Sequence, residues 1–418
     1  MIARLLYSAL WPLLTPLVKR YLNKRAQKAP AYLQHWDERF GRDLPRGDGR
    51  EVIWLHAVSV GETRAALPLV KQLRQQYPAA RFVITQMTPT GRATALELYP
   101  DAEIRYLPYD SAGNMRRFIA ALRPKFGVLM ETELWPNLLH ACRAAGVPLF
   151  LVNARLSEKS LRGYRRIGPL IRPAMRALTA VAAQSDADAE RLRQLGAANV
   201  SVCGNSKYDF TPPPDKLVLG QAFRQRIGSR PVWVCASTRD GEEELILRAW
   251  QAVPRGEALL LLVPRHPERF DSVATLAADM GFAVQRRSDE QAVAASTQVW
   301  LGDSMGELFA YYAAADVAFI GGSLLDFGSQ NLIEPASVGL PVLIGRSTFN
   351  FAEAAALALA AGAARQVSDA DQLVAAALTL LQDAAARQPM RQAGLAFTAQ
   401  HRGASQRMLQ LIKQQLPA

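Results

Sequence analysis

Val52-Ile53-Trp54-Leu55-His56-Ala57-Val58-Ser59-Val60-Gly61-Glu62-Thr63 decides how this chain is read. Its first four residues are apolar and partly β-branched, the mark of a strand buried on both faces in a parallel sheet. After Thr63, the residues Ala65, Ala66, Leu67, Leu69, Val70 and Leu73 recur at helical spacing. A short turn containing Gly61 joins the two and leaves Glu62 at the mouth of the helix. In an open α/β sheet that turn lies at the carboxyl end of the strand, where ligand crevices form, and the helix start adds orphan N–H donors and positive potential. A carboxylate there is expected to stay ionised, which makes Glu62 a candidate general base. The helix dipole alone also favours an acidic first turn, so the rest of the chain has to decide.

Outward from this stretch, strand and helix alternate. Phe82 to Met87, Ile104 to Leu107, Phe126 to Met130, Pro148 to Val152, Val181 to Gln184 and Val200 to Cys203 read as short strands with helical stretches between most of them. The alternation predicts a doubly wound parallel sheet over residues 31–208. Residues 209–216 contain Pro212-Pro213-Pro214, which removes donors and fixes φ, and form the linker. A second βα series over 217–385 begins at Val232-Trp233-Val234-Cys235 and continues with Leu259 to Val263, Val299 to Leu301, Val317 to Ile320 and Val342 to Ile344. Residues 386–418 read as C-terminal helices. Two Rossmann-like domains facing across a substrate cleft are the expected architecture.

A chain of 418 residues, 50% apolar and 21% charged, has ordinary soluble composition and material for two or three cores. Cys142, Cys203 and Cys235 lack CxxC spacing, which argues against a disulfide framework or a zinc site and for a reducing compartment. The net charge of +12 implies an anionic partner. Residues 1–50 hold ten Lys or Arg against four Asp or Glu. That basic stretch includes an apolar segment, Leu5 to Val18, broken by Pro12 and Pro16 and shorter than the ~20 residues of a spanning helix. With Tyr7, Trp11 and Tyr21 beside Lys19, Arg20, Lys24, Arg25 and Lys28, residues 1–30 suit a membrane-associating segment in the headgroup layer, on the cytoplasmic side. A hydrophobic helix packed on the protein itself is the alternative.

Several charged groups follow predicted strands. Asp186-Ala187-Asp188 has the look of a metal-binding DxD, but Ser185 before it and Glu190, Leu192 and Leu195 after it make a helix cap the simpler reading. Glu131-Thr132-Glu133 follows the Phe126 to Met130 strand and so shares a sheet edge with Glu62. Lys207, after the Val200 to Cys203 strand, adds a cation suited to a phosphate or a developing negative charge. In the second half, Pro264-Arg265 offers a guanidinium fork. Met305-Gly306-Glu307 lies at a helix start, where free N–H groups can meet a phosphate. Gly321-Gly322-Ser323-Leu324 and then Gly328-Ser329-Gln330-Asn331-Leu332-Ile333-Glu334 form a glycine-rich turn before a helix, with Glu334 placed for ribose hydroxyls.

The ordered set His56–Glu62, Met87-Thr88-Pro89-Thr90-Gly91, Tyr106-Leu107-Pro108-Tyr109-Asp110, Met130-Glu131-Thr132-Glu133-Leu134-Trp135-Pro136-Asn137, Asn153-Ala154-Arg155-Leu156-Ser157, Val263–Arg269 and Gly302–Leu308 resembles the 3-deoxy-D-manno-octulosonic acid (Kdo) transferases of lipopolysaccharide synthesis. The resemblance spans nearly the whole chain. It implies a GT-B fold, CMP-Kdo as donor, the lipid A precursor lipid IVA as acceptor, attachment to the cytoplasmic face of the inner membrane, no metal and no further cofactor, and no nucleic-acid partner. By position, Glu62 resembles the family's proton acceptor, and Glu131 and Lys207 its transition-state stabilising residues. Pro264, Arg265, Met305, Gly306, Glu307, Asn331, Leu332, Ile333 and Glu334 resemble its CMP-contacting segments. Residues 31–208 then take the acceptor and 217–385 the CMP-sugar. Arg155, Arg162, Arg165 and Arg166 are candidates for the acceptor's phosphates. Two departures stand out: Gln330 and Leu332 flank Asn331 where the family pattern has His and Pro, and Arg239 stands where a His is frequent. The competing readings are a UDP- or ADP-sugar glycosyltransferase, a UDP-sugar epimerase, or a basic membrane-surface binding protein.

Overall fold

The computed structural model describes residues 2–416. The chain divides into two compact units, one of residues 1–210 with 402–418 and one of residues 211–401. In the first, β1 (Val52–His56), β2 (Arg81–Gln86), β3 (Glu103–Tyr106), β4 (Pro124–Met130), β5 (Leu149–Ala154), β6 (Ala180–Ala183) and β7 (Val200–Val202) form one sheet in the order β3-β2-β1-β4-β5-β6-β7. Every pairing is parallel. Alternate residues of each strand feed the two faces. Val52, Trp54, Leu129 and Leu151 join Phe118 and Leu138 on one side. Ile53, Leu55 and Val128 join Leu69, Val70 and Leu73 of helix Val60–Gln76 on the other. Gly127 of β4 is required there, because a Cβ would lie 2.6 Å from the Trp54 ring.

The last helix, Ala404–Gln415, also belongs to the first unit. Its Ala404, Met408, Leu411 and Ile412 are buried in the same layer as Leu55 and Leu69. Asp209 holds its start, accepting from the backbone N–H of Gly403 at 2.6 Å and Ala404 at 3.2 Å.

The second unit repeats the plan with β8 (Val232–Thr238), β9 (Leu259–Pro264), β10 (Val284–Arg286), β11 (Val299–Leu301), β12 (Val317–Ile320), β13 (Val342–Ile344) and β14 (Ala364–Gln366), all parallel, in the order β10-β11-β9-β8-β12-β13-β14. Strands β10 and β14 add to the sequence expectation. They are short, polar edge strands, Val-Gln-Arg and Ala-Arg-Gln, without the apolar run that marks a central strand. The strand order switches between β1 and β4 in the first sheet and between β8 and β12 in the second, and such a switch point is where an α/β sheet opens a crevice.

The amino-terminal helix, Ile2–Ala26, runs unbroken through Pro12 and Pro16, against the expectation that they interrupt it. No helix among the described residues is long and apolar enough to cross a membrane. The reason is local: Arg4, Ser8 and Thr15 break the apolar run, and the basic residues begin at Lys19. Ile2, Leu5, Leu6, Leu10, Leu13 and Leu17 are nevertheless exposed. Ser185 caps helix Asp186–Gln194 by accepting from the Asp188 N–H, and Asp188 is buried against the Leu156 N–H at 2.8 Å, so the DxD-like sequence is a capping arrangement.

Candidate active site

Glu62 enters the first turn of helix Val60–Gln76 with Ser59 as the N-cap. Its Oε2 accepts from the Val58 N–H at 2.7 Å and its Oε1 from the Ser59 hydroxyl at 2.9 Å. The side chain thus closes the helix start, as the dipole argument anticipates. That does not exhaust it, because a carboxylate has about four lone-pair sites. It is 9% exposed, and burial pushes its pKa up to about 7, with the nearby Glu131 charge adding to the rise and the two hydrogen bonds and Lys207 opposing it. The sequence expectation that a helix start keeps this group firmly ionised is therefore corrected: desolvation outweighs the helix start.

Glu131 follows β4, next to β1 at the switch point. Its backbone is left-handed at φ 57°, a costly conformation for a residue with a side chain, and its N–H donates to the Val152 carbonyl at 2.9 Å. Glu133 accepts from the Trp135 indole N–H at 2.7 Å. Burial and the charge of Glu62 push Glu133 up to about 7. Three carboxylates therefore share one neighbourhood, and like charges so placed resist being ionised together. Lys207 is delivered by a single turn, Ser206–Tyr208, after β7. A ring of amides fixes that turn. Asn153 accepts from the Ser206 N–H at 3.0 Å, Asn205 accepts from the Lys207 N–H at 3.0 Å and donates to Gln184 at 3.0 Å, and Gln184 donates to the Asn153 carbonyl at 2.8 Å. The sequence reading assigned these amides no role. Their position at strand ends is the signal that could have found them. His56, in the stretch that opens the chain's reading, is fully buried with Nδ1 2.9 Å from the Thr85 hydroxyl; burial holds its pKa down near about 4, so it stays neutral and structural.

In the second unit the predicted donor residues lie at the carboxyl ends of β9, β11 and β12. Pro264 ends β9, and Arg265, exposed, donates from its backbone N–H to the Thr238 carbonyl at 3.0 Å and from Nε to Gln330 at 3.3 Å. The segment Met305-Gly306-Glu307 follows β11, with Met305 exposed and Gly306 at φ 76°. The Glu307 carboxylate is committed to Arg287, at 2.8 and 2.9 Å, and to the Ser304 hydroxyl at 2.5 Å, so what it gives the turn is shape. Asn331 donates to Glu334 at 3.0 Å and accepts from the Ile333 N–H at 3.0 Å, while Leu332 and Ile333 are core residues that can offer a ligand only backbone. The structure brings Arg265, Gln330, Asn331 and Glu334 to one edge.

Glu242, which the sequence reading did not single out, holds that edge together. It is fully buried in the first turn of helix Glu242–Gln251 and accepts from the backbone N–H of Gly322 at 2.6 Å, Arg239 at 2.8 Å, Leu324 at 2.9 Å and Leu325 at 3.4 Å. The neighbouring Glu243 accepts from Thr238 at 2.7 Å and from both arms of Arg269 at 2.6 and 3.0 Å. Gly321 must be glycine, since a Cβ would sit 2.4 Å from the Ser237 carbonyl oxygen. Arg155, Arg162, Arg165 and Arg166 are all exposed on and before helix Glu158–Arg166, with Arg165 donating to Gln194 at 2.5 Å.

Residues 34–210 match the profile of the 3-deoxy-D-manno-octulosonic-acid transferase (kdotransferase) family. The chain is 43% identical to the 3-deoxy-D-manno-octulosonic acid transferase of Bordetella pertussis over 418 aligned positions, 96% of each chain. It is 38% identical to that of Haemophilus influenzae, with 98% of each covered. Among solved structures, UDP-GlcNAc 2-epimerase from Neisseria meningitidis is similar at TM-score 0.58 and 16% identity, covering 87% of this chain and all of that one. A glycosyltransferase from Rickettsia africae is similar at TM-score 0.58 and 13% identity, covering 88% and 99%. Those likenesses show the fold, two parallel-sheet α/β domains of the GT-B kind. Sequence identity along nearly the full length shows the family: the chain belongs to the 3-deoxy-D-manno-octulosonic acid transferases and is a glycosyltransferase.

Proposed function

We propose that the enzyme transfers Kdo from CMP-Kdo to the lipid A precursor lipid IVA in lipopolysaccharide synthesis, at the cytoplasmic face of the inner membrane, with Glu62 as general base. The observation that carries this reading is a buried carboxylate near neutrality beside Glu131 and Lys207 at a sheet's switch point. Glu62 takes the proton of an acceptor sugar hydroxyl as its oxygen bonds to the anomeric carbon of Kdo. The bond from that carbon to the CMP phosphate oxygen breaks, and its electron pair leaves on CMP. Arg265, Lys207 and helix-start N–H groups hold the departing charge, and Asn331 and Glu334 meet the nucleotide's sugar. The scheme asks for no metal, because a phosphate is a competent leaving group once positioned.

The exposed guanidinium groups of Arg155, Arg162, Arg165 and Arg166 suit the acceptor's phosphates. Helix Gly168–Met175, which follows them, packs on the amino-terminal helix, whose outward leucines and basic end suit an anionic leaflet. The test is transfer itself, followed by mass spectrometry of lipid IVA incubated with freshly made CMP-Kdo. Glu62→Gln is expected to lower kcat by about 10²- to 10⁴-fold while CMP still raises the melting temperature. Stabilisation by UDP or ADP in place of CMP overturns the donor assignment, and undiminished transfer by Glu62→Gln overturns the base.

A further inference from the structure

Asp110 takes no part in the scheme above, yet its carboxylate is wholly buried and accepts three hydrogen bonds. Its Oδ1 accepts from the Leu138 N–H at 2.8 Å and its Oδ2 from the Asn137 N–H at 3.0 Å, so it caps helix Pro136–Ala144 from another segment. Asn137 returns a bond from its amide to the Asp110 carbonyl at 2.7 Å. The amino-terminal helix closes the group. Tyr7 donates to Asp110 Oδ2 at 3.0 Å, Ser8 donates to Asn137 Oδ1 at 2.9 Å, and Arg4 donates to the same oxygen at 3.2 Å. Helix Pro136–Ala144 starts directly after Glu131–Trp135, the segment that carries the strained Glu131 and the half-buried Glu133. One end of that segment is thus pinned by β4, and the other by a polar lock whose far half belongs to the amino-terminal helix.

We propose that Asp110 is a positioning residue for transfer, locking the Glu131–Trp135 segment to the amino-terminal helix through Tyr7 and Asn137, so that this helix is part of the catalytic scaffold and more than an attachment to a membrane. The physical reason is the short lever. From Glu133 to the cap at Asn137 is a single loop, and a shift near 1 Å in a charged group beside the reacting atoms is costly. The inference rests on the placing of Glu131 beside Glu62. A Glu131→Gln enzyme that transfers at the full rate defeats that placing, whereas a Tyr7→Phe enzyme that does so defeats only the lock.

The experiment uses the full chain with lipid IVA presented either in detergent micelles or in vesicles of phosphatidylethanolamine and phosphatidylglycerol. Tyr7→Phe, which removes one hydroxyl, is expected to lower kcat about tenfold in both presentations, with KM for CMP-Kdo and co-sedimentation with the vesicles unchanged. Arg4→Ala with Ser8→Ala is expected to act in the same direction. Asp110→Asn, if it folds, is expected to act more strongly; if it does not, Tyr7→Phe decides alone. An unchanged kcat overturns the proposal. So does a loss confined to vesicle-borne acceptor, a loss that tracks vesicle binding, or an equal rise in KM for the donor.

Discussion

At the scale of single residues, the first unit's chemistry turns on carboxyl groups held near neutrality by burial. Glu62 and Glu133 are each raised to about 7, and Asp110 likewise, against ordinary values near 4. Activity and stability should therefore answer pH with opposite signs. A general base works only when deprotonated, so kcat/KM is expected to climb through about pH 7 and then level. An acid whose folded-state pKa is raised binds its proton more tightly folded than unfolded. The stability it contributes is complete below the unfolded value and is lost as pH rises through about 7. Melting temperature should fall between about pH 4 and about pH 7, the interval between the unfolded and folded values, while the rate rises. The neighbours tune the midpoint. Removing the Glu131 charge with Gln should move the rate profile to lower pH, and Lys207→Met should move it higher, since these two groups raise and lower Glu62 respectively. A midpoint that ignores both substitutions would mean that another group titrates.

At the scale of elements, the donor edge of the second unit is a set of turns that cannot hold their shape unaided. Gly321, Gly322 and Gly328 remove side chains where backbones approach or φ turns positive, and Glu242 then gathers the freed N–H groups. Glu242→Ala should leave the buried Gly322 N–H unpaired, at about 1–3 kcal/mol, together with up to three partly buried donors. The expected result is a large loss of stability of residues 211–401 in denaturant, and loss of CMP-induced stabilisation even in urea too dilute to unfold them. Gly321→Ala should cost about 1–3 kcal/mol by overpacking against Ser237. The same elements show what a sequence makes legible. Glu62, Glu131, Lys207 and Arg265 could be read because each directly follows an apolar strand, and strand ends in parallel sheets are where ligands go. Glu242 could not, because three of its four partners arrive from a turn some 80 residues further along the chain. The edge strands β10 and β14 escaped for a related reason: Gln285, Arg286, Arg365 and Gln366 are not buried, so no apolar run marks them. The pKa of Glu62 escaped as well, since sequence places it at a helix start but gives no measure of its burial.

For the molecule as a whole, the division of the chain makes a sharper demand than its two sheets do. The second unit is one uninterrupted piece, 211–401, while the first is closed by a helix that returns from the far end of the sequence. Nothing in Ala404–Gln415 read alone says which unit it joins, because any amphipathic helix fits either. Its burial answers the question: Met408 and Ile412 are fully buried, and Leu411 nearly so, beneath helix Val60–Gln76. At about 1.5–3 kcal/mol for each large apolar side chain, these three account for much of a typical 5–15 kcal/mol of domain stability. A chain ending at residue 401 should therefore lose the first unit, with proteolysis degrading it through residue 210. Residues 211–401 expressed alone should survive, unfold cooperatively and retain stabilisation by CMP, because every hydrogen bond named at the donor edge lies within that piece. Limited proteolysis of the truncated chain and thermal shift of the isolated piece with CMP check both halves. A truncated chain whose first unit resists protease refutes the closing role of the last helix. An isolated piece that folds without responding to CMP removes the nucleotide from these turns.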